Sequence, residues 1–239
     1  KLTDKSPVKL IWDNNQGITF EKEISLDDKY LFTVKQSVIN STKNEYDFYS
    51  YGQIIRNKIP EISNFYILHE GLIATLDDEL IEEDYDDIQE KKFSRTSQKG
   101  WLGIGDKYWI ASLIPPRDKE FKTTFDYKKK FRANFIATEP LELKKNSKVE
   151  EKLQIIVAAK RVDIIDGYAK SLNIDKFDLV IAWGFLYFIT KPLFFGIDYF
   201  FKLLGNYGLA IIAITICIRL AFFPLANFSF RSLAKMKAL

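Results

Sequence analysis

The sequence contains a single cysteine, Cys217, and a single histidine, His69. One cysteine cannot form an intrachain disulfide, so the fold does not depend on an oxidising compartment. This scarcity also excludes most sites that pair a nucleophile with a base, and most transition-metal sites. The net charge of +3 over 239 residues is too small to indicate a nucleic-acid ligand. We therefore predict no metal, no cofactor and no nucleic-acid partner.

The sequence also lacks a recognisable export signal. Its opening stretch, KLTDKSPVKLIW, has no apolar core of the kind that a signal peptide needs, and its last residues, AKMKAL, are equally abrupt. Either the chain begins inside a longer protein or its export signal is missing. Charged residues dominate the first two thirds, whereas the last quarter is mostly apolar and aromatic. The aromatic content of 15% is typical of strands and of membrane interfaces.

Residues 1–160 show the alternating pattern of β-strands. In YLFTVKQSV, one face carries the apolar residues Tyr30, Phe32, Val34 and Val38, and the other carries the polar residues Thr33, Lys35 and Ser37, as in a half-buried strand. The turn-forming stretch WDNNQG before Gly17–Ile24 predicts that the first two strands form a hairpin. Many short strands and few helices indicate a mainly β domain, a β-sandwich. Further predicted strands are Tyr46–Ile55, Trp101–Ile114 with a break near Gly105, Phe121–Tyr127, Phe131–Ala137 and Lys152–Ala158.

Charged stretches interrupt this pattern. The acidic run Asp77–Glu90 lacks the alternating acids and central glycine of an EF-hand loop, so a solvated loop is favoured over a calcium site. Lys128–Lys130, together with Arg132, are predicted to form a solvated hairpin end. His69 follows a strand-like FYIL at residues 65–68, and we interpret it as a partly buried structural side chain.

The pattern becomes helical after residue 160. Ile164, Ile165 and Tyr168 lie at helical spacing, which predicts a linker helix within residues 161–179. This helix connects the β domain to the apolar part of the chain.

Residues 180–204 predict an amphipathic helix that lies in a membrane interface. Thr190 and Pro192 suit the start of this helix, as a cap and an early-turn residue. Three charged side chains fall on one side, and aromatic and aliphatic residues cover the rest. The alternative is a buried helix that packs under the β domain. The residues predicted to anchor the helix at the interface are Phe194, Phe200, Phe201, Lys191 and Lys202.

Residues 205–226 predict a transmembrane helix. Gly205–Leu225 would be about 31 Å long at a rise of about 1.5 Å per residue, which is enough to cross the hydrocarbon core. Residues 227–239 then begin a region with no acid and three basic side chains, Arg231, Lys235 and Lys237. The positive-inside rule places this end in the cytoplasm and residues 1–204 outside.

Arg219 lies inside this span, about 9 Å from its cytoplasmic end. An arginine at mid-span costs about 3 kcal/mol on insertion scales. One interpretation is that Arg219 snorkels to the cytoplasmic headgroups. The other is that it faces protein or a water-filled cavity, because side chains tilt toward the helix N-terminus, which is outside. Thr215 is one turn earlier on the same face, and Pro224 bends or ends the helix. A single helix cannot enclose a cavity, so we expect further spans outside this chain.

Three segments within Trp183–Leu239 resemble the YidC/Oxa1/Alb3 insertases in their Gram-negative YidC form: WGFLYFITKPLF, GNYGLAIIAITICIRLAFFPL and SLAKMKAL. This order of features is specific for the family: an aromatic interfacial helix, Gly-Asn, a span that contains an arginine, Pro-Leu, and Ala-Lys-Met-Lys. The β region is similar to the family more loosely, through WDNNQGITFEKEISLDDKYLFTVKQSVIN and GWLGIGDKYWIASLIPP. The resemblance covers nearly the whole chain. It departs at Ala158-Ala159, where relatives often have Gly-Pro.

This resemblance implies a fold and a function. The fold is a periplasmic β-supersandwich of the galactose-mutarotase-like type, followed by an α-helical membrane region. The function is that of an insertase and chaperone of the bacterial inner membrane, with Arg219 in a hydrophilic groove. Its partners are nascent membrane proteins, the lipid bilayer and, in some pathways, the Sec translocon and the ribosome. One span before residue 1 and four after residue 239 are implied. No bond is made or broken, so we predict no enzyme and no catalytic residue.

Two other functions remain open from the sequence. A membrane-anchored periplasmic sensor or ligand-binding protein would explain the architecture but not Arg219, and binding of a sugar by the β domain would favour it. The second open function is that of a multi-span transporter. A measured flux of an ion or solute would favour it.

Overall fold

The computed structural model of the protein describes residues 1–59, 69–117, 119–184 and 186–237, without the side chains at 226 and 229–237. The chain divides into two compact units, Lys1–Ala182 and Trp183–Leu239. We call them the β unit and the helical unit. The predicted strand-like segment at 65–68 lies outside the described residues.

The described part of the β unit consists mainly of short strands. In chain order they are β1 (Val8–Asp13), β2 (Ile18–Leu26), β3 (Leu31–Asn40), β4 (Tyr46–Phe48), β5 (Tyr51–Arg56), β6 (Gly71–Leu76), β7 (Glu79–Asp84), β8 (Phe93–Ser97), β9 (Gly100–Gly105), β10 (Trp109–Ile114), β11 (Phe121–Tyr127), β12 (Phe131–Ala137), β13 (Leu141–Leu143) and β14 (Lys148–Ala159). The helices are α1 (Tyr85–Glu90), α2 (Val162–Ser171), a 3-10 turn (Phe177–Val180), α3 (Tyr187–Leu204) and α4 (Tyr207–Lys237).

The strands form three sheets. The largest has eight strands in the order β1-β2-β3-β14-β10-β9-β6-β7, the second has four in the order β5-β12-β11-β8, and β13 pairs with β4. Neighbouring strands run antiparallel throughout. The predicted mainly β domain, followed by helices, is therefore confirmed.

The predicted hairpin of the first two strands is confirmed, since β1 pairs with β2. The Asn14 side-chain oxygen accepts hydrogen bonds from the backbone N–H groups of Gln16 at 2.8 Å and of Ile18 at 3.0 Å. Gly17 closes the turn at a φ of +88°, a conformation that glycine adopts without steric cost. The sequence WDNNQG thus forms the turn through side-chain bonds and one glycine.

Several other predicted strands also agree with the structure. β11 and β12 have the predicted bounds, and Lys128–Lys130 between them are exposed, as expected of a solvated hairpin end. Gly105 ends β9 where the predicted break lies, and β10 follows after a short turn. Alternation of inward and outward side chains predicted β11 and β12, whereas β9 is buried along almost its whole length.

The main core lies between the eight-stranded and four-stranded sheets. Alternate residues of facing strands point into it, which is why the strands read as alternating patterns. Phe121 and Phe135 meet edge to face, with ring centroids 6.1 Å apart. The core residues that are almost fully excluded from solvent include Leu72, Leu76, Leu102, Leu113, Phe121, Phe125, Phe131 and Phe135.

A second core lies on the opposite face of the eight-stranded sheet, under α2 and the 3-10 turn. α2 lies within residues 161–179, where a helix was predicted, and it buries Ile165 and Tyr168 in this core, so it packs on the sheet as part of the β unit. Trp101 of β9 meets Phe177 edge to face, with centroids 5.2 Å apart. The Tyr168 hydroxyl donates to the Asp27 carboxylate at 2.8 Å, and burial, with this carboxylate, raises the pKa of Tyr168.

The prediction of a solvated loop at Asp77–Glu90 is wrong. Only Asp77 and Asp78 form a turn, after which β7 and α1 follow. Tyr85 and Ile88, three positions apart, place one face of α1 in the main core at 4% and 2% exposure. The acids occupy the opposite, wet face, so a high density of like charge did not prevent regular structure.

Two details of the predicted strands are also wrong. Tyr30 was expected on a buried face, yet it is 56% exposed with a φ of +73°. The Asp27 carboxylate accepts from the N–H groups of Lys29 and Leu31, and this turn holds Tyr30 outside the strand. The predicted strand Tyr46–Ile55 is divided into β4 and β5, because the two parts pair in different sheets.

His69 is structural, as interpreted from the sequence. Its side chain is 7% exposed, and its Nδ1 lies 3.2 Å from an Asp84 carboxylate oxygen. A Cβ built at Gly71 would come 3.1 Å from the imidazole Cε1, so the ring packs closely against the start of β6. The described contacts of His69 are therefore an ion-pair partner, Asp84, and the packing against Gly71.

Candidate functional site

The predicted amphipathic helix is α3, but it begins earlier than Thr190 and Pro192 indicated. It starts at Tyr187, because the Leu186 carbonyl already accepts the N–H of Ile189 at 2.8 Å and that of Thr190 at 2.9 Å. The Thr190 hydroxyl donates to the carbonyl of Trp183 at 3.0 Å, so it ties the approaching chain to the helix and is not an N-cap. Pro192 lies inside the helix.

The charged side chains of α3 have partners within the helical unit. Lys202 and Asp198 form an ion pair with a 2.6 Å N–O distance, one turn apart. The Lys191 ammonium lies 5.8 Å from the ring centre of Trp183 and 5.7 Å from that of Tyr187, within cation–π distance. The sequence pattern had placed these charges on one side but did not reveal Trp183 as a partner. Pairing lowers the cost of placing α3 in a medium of low polarity.

The predicted aromatic anchors differ in exposure. Phe194 is 41% exposed, and its ring meets that of Trp183 with centroids 5.6 Å apart. Phe200 is partly buried beside Tyr199. Phe201 is turned toward α4 and stacks on Tyr207, with centroids 3.9 Å and planes 13° apart. Phe194 is therefore the most accessible of the three to an external apolar phase.

The joint between α3 and α4 is short and well defined. Gly205 has a φ of +67° and donates its N–H to the Phe201 carbonyl at 2.8 Å, which closes α3. The Asn206 side-chain oxygen accepts the N–H of Leu209 at 3.2 Å, as an N-cap does. Further along, Gly196 faces Ile214, whose Cδ1 would be 2.8 Å from a Cβ at 196. A lone glycine in an aromatic helix was the signal for this contact, which sequence reasoning missed.

α4 contains one stretch, Tyr207–Leu225, that is long and apolar enough to cross a membrane, and it is almost entirely exposed. This agrees with the predicted span by length and composition. Of the two outcomes predicted for Pro224, a bend or an end of the helix, the end is wrong, because α4 continues to Lys237. A proline inside a helix removes one backbone hydrogen bond and kinks the helix more often than it stops it when the pattern continues.

Arg219 and Thr215 lie on one face of α4, one turn apart, and both are exposed. The Thr215 hydroxyl donates to the Ile211 carbonyl at 2.7 Å. From Trp183 onward the sequence has a single acid, Asp198, and it is already paired with Lys202. Arg219 is thus the one charged side chain in the stretch Tyr207–Leu225, and the described residues of the helical unit include no unpaired carboxylate to neutralise it.

The charge on α4 is suited to electrostatic attraction of anionic groups. Among the described residues, no group of three or more His, Cys, Asp or Glu side chains could hold a metal ion. Cys217 is exposed on α4 and two residues from Arg219. A fixed positive charge on an apolar surface attracts anionic groups strongly, because a medium of low dielectric constant screens it little.

Comparison with known proteins identifies similar chains. The family model of the YidC periplasmic domain matches residues 1–195. "Membrane protein insertase YidC" of Pelagibacter ubique is 72% identical over 100% of this chain and 43% of its own length. The proteins of that name from Rickettsia prowazekii and Rhizobium johnstonii are 40% and 39% identical, over 100% and 99% of this chain and 44% and 40% of their lengths. The chain therefore spans about two fifths of the length of these curated relatives.

Solved structures with a similar fold include two from Lactobacillus. A galactose mutarotase related enzyme from Lactobacillus acidophilus aligns with a TM-score of 0.44 and 10% identity. The alignment covers 63% of this chain and 67% of the enzyme. A galactose mutarotase-like protein from Lactobacillus casei has a TM-score of 0.43 and 10% identity, over 66% and 72%.

Proposed function

Because this chain belongs to the YidC family, whose periplasmic-domain model matches residues 1–195, we propose that it is part of a membrane protein insertase. The complete protein inserts nascent proteins into the bacterial inner membrane and helps them to fold. Its substrates are nascent chains that combine an apolar segment with a polar tail. The names of the relatives, each a membrane protein insertase, support this assignment.

The observation that carries the mechanism is the position of Arg219. It lies within the apolar stretch Tyr207–Leu225, and the single acid of the helical unit is paired elsewhere. An arginine at this depth is tolerated when it faces protein or water, so we place it in a hydrophilic groove that further spans complete. Thr215, one turn away, helps to keep this face polar.

In this mechanism the groove charge attracts the tail of the substrate. A polar tail must cross a layer of low dielectric constant, and a fixed guanidinium lowers the electrostatic cost for acidic tails. The apolar segment then moves along the protein into lipid, driven by burial of its own apolar surface. No covalent bond is formed or broken, so the protein is an insertase and not an enzyme.

The orientation follows from charge. The basic residues after the span support a cytoplasmic end of this chain, with the β unit and α3 in the periplasm, by the positive-inside rule. On α3, the anchors Phe194, Phe200, Phe201, Lys191 and Lys202 hold the helix at the outer interface. The Sec translocon and the ribosome are partners in this proposal, as sources of the nascent chain.

Complementation and reconstitution test the function. A strain depleted of its own insertase should grow when it expresses the full-length protein that contains this chain. Purified full-length protein in liposomes should also move the tail of a small single-span substrate into the lumen, where protease added outside cannot digest it. Matched liposomes without protein give the background. Failure of the full-length protein to restore growth, together with a fully digested tail, would contradict the proposal.

A further inference from the structure

The joint of α3 and α4 fixes the geometry of the two helices. We call its residues the elbow: Gly196, Phe201, Gly205, Asn206, Tyr207 and Ile214. At the vertex, Gly205 closes α3 and the Asn206 side chain caps α4 within two residues. The stacked rings of Phe201 and Tyr207 connect the helices directly beside this vertex.

A second contact lies far from the vertex. Gly196 precedes Gly205 by nine residues and Ile214 follows Asn206 by eight, so each lies about 12–14 Å from the vertex along its helix. Gly196 and Ile214 nevertheless touch, since a Cβ at 196 would lie 2.8 Å from Ile214 Cδ1 and 3.5 Å from Cγ1. Two helices that meet at the vertex and again at this distance run side by side. The angle between them is therefore set by packing and not by a free hinge.

The same contacts fix the rotation of α4. Tyr207, Ala210 and Ile214 share the helix face toward α3, and Ala210 is completely buried. At about 100° per residue, Arg219 is turned about 120–140° away from Tyr207 and Ile214. Arg219 is also 13 residues from Asn206, about 20 Å along the axis. The elbow therefore specifies both the depth and the direction of the guanidinium relative to α3.

α3 can serve as the reference for this depth because its outer surface is apolar while its charges are paired. Phe195 and Tyr199 are 47% and 65% exposed, whereas Asp198 is bound to Lys202. A helix with Lys191, Asp198 and Lys202 on one side and exposed aromatic residues on the rest stays near the boundary of headgroups and acyl chains. We infer that the elbow is a positioning device, in which α3 sets the depth and rotation of Arg219 in the membrane. This inference rests on the proposed function of Arg219.

Cys217, the sole cysteine of this chain, provides the probe. The full-length protein, with cysteines outside this chain removed, is spin-labelled at Cys217 and reconstituted in liposomes. Label depth is measured from relaxation by oxygen and by a water-soluble nickel complex. Gly196→Leu should wedge the helices apart and shift the label by more than about 1.5 Å, the rise of one residue. Gly196→Ala should shift it less, because the Ile214 Cδ1 can rotate away.

Two further variants separate the elbow from general damage. Gly196→Leu combined with Ile214→Ala restores the space and should return the label to its original depth. Ile212→Ala removes a side chain that is 57% exposed and should leave the depth unchanged. Substrate insertion, measured on the same samples, should fall with Gly196→Leu and recover in the double variant.

Each result decides a different point. An unchanged depth in Gly196→Leu would overturn the elbow. A changed depth with unchanged insertion would overturn its positioning role. The depth could change in Gly196→Leu and return in the double variant while even the unsubstituted protein inserts no substrate. That result would support the elbow and contradict the proposed function.

Discussion

Large apolar side chains occupy opposite environments in the two units. Trp101 and Phe125 of the β unit are completely buried, whereas Phe222 and Phe223 of the helical unit are 61% and 63% exposed. Arginines differ in the same way. Arg56 of the β unit donates to both carboxylate oxygens of Asp106 at 2.6 and 2.7 Å, while Arg219 has no carboxylate partner among the described residues of the helical unit, where Asp198 pairs with Lys202.

This difference shows that the units fold in different solvents. The β unit hides apolar surface and leaves charges in water, as burial in an aqueous medium requires. The helical unit presents apolar surface outward and pairs the charges of α3, which suits a hydrocarbon medium. Arg219 violates the second pattern, and such a violation marks function more often than error.

The largest expected effect is that the β unit and the residues after the span lie on opposite sides of the membrane, and the labelling that shows it is all or none. In full-length protein with Cys217→Ala, single cysteines are introduced at Ser94, which is exposed in the β unit, and at Ser232. A reagent that cannot cross membranes should label the first and not the second in intact spheroplasts. Both should react once the membrane is dissolved. Labelling at 232 alone before that step would reverse the proposed orientation.

Removal of a phenylalanine ring should destabilise the β unit more than the helical unit. Phe125→Ala removes a completely buried ring between the sheets and should lower the free energy of unfolding by about 3–5 kcal/mol. Phe222→Ala, on the exposed surface of α4, should change it by less than about 1 kcal/mol in detergent. Chemical unfolding followed by near-ultraviolet circular dichroism gives both values. Equal losses would mean that α4 has a packed core of its own.

These outcomes also indicate what the sequence could and could not predict. β11 and β12 were readable because their inward residues alternate strictly. α1 was missed because Tyr85 and Ile88, its only buried residues, stood among acids that suggested a loop. The start of α3 was misplaced because Thr190 has cap chemistry but uses its hydroxyl on Trp183. Arg219 could be predicted as a candidate site residue because a single charge within an apolar run stands out in the sequence itself, without knowledge of its neighbours in the fold. Gly196 in an aromatic helix signalled a close approach, but its partner, Ile214, depends on how the two helices pair, which the local sequence does not show.

The aromatic face of α3 should show a smaller effect, in membrane binding. Burying each side chain is worth about 2 kcal/mol, so replacing Phe194, Phe200 and Phe201 by Ser should weaken liposome binding of a 180–205 peptide at least about tenfold. Phe194→Ser alone should account for the largest single share, since it is the most exposed of the three. Tryptophan fluorescence of Trp183 reports the binding. Unchanged partitioning would indicate that α3 packs on protein.

The smallest effect concerns pH and the β unit alone. Burial raises the pKa of Tyr85 from 10.0 to about 12. The folded state thus favours the neutral phenol, and this stabilisation is complete below pH 10 and is lost as pH rises toward 12. Tyr85→Phe should flatten the alkaline decline of the unfolding free energy in that window. Some decline should remain, because the pKa of Tyr168 is also raised. An identical alkaline decline in the variant would contradict the assignment.

The charge of Arg219 is the centre of the account, and one measurement addresses it directly. Full-length Arg219→Lys and Arg219→Ala are expressed in a strain depleted of its insertase, with Leu220→Ala, 68% exposed, as the matched control. Protease protection then quantifies insertion of two substrates that differ only in an acidic or a neutral translocated tail. The account predicts that Lys and the control retain insertion, and that Ala loses mainly the acidic tail, because the missing attraction is Coulombic. Full insertion of the acidic tail by Arg219→Ala, at normal protein level, would contradict it.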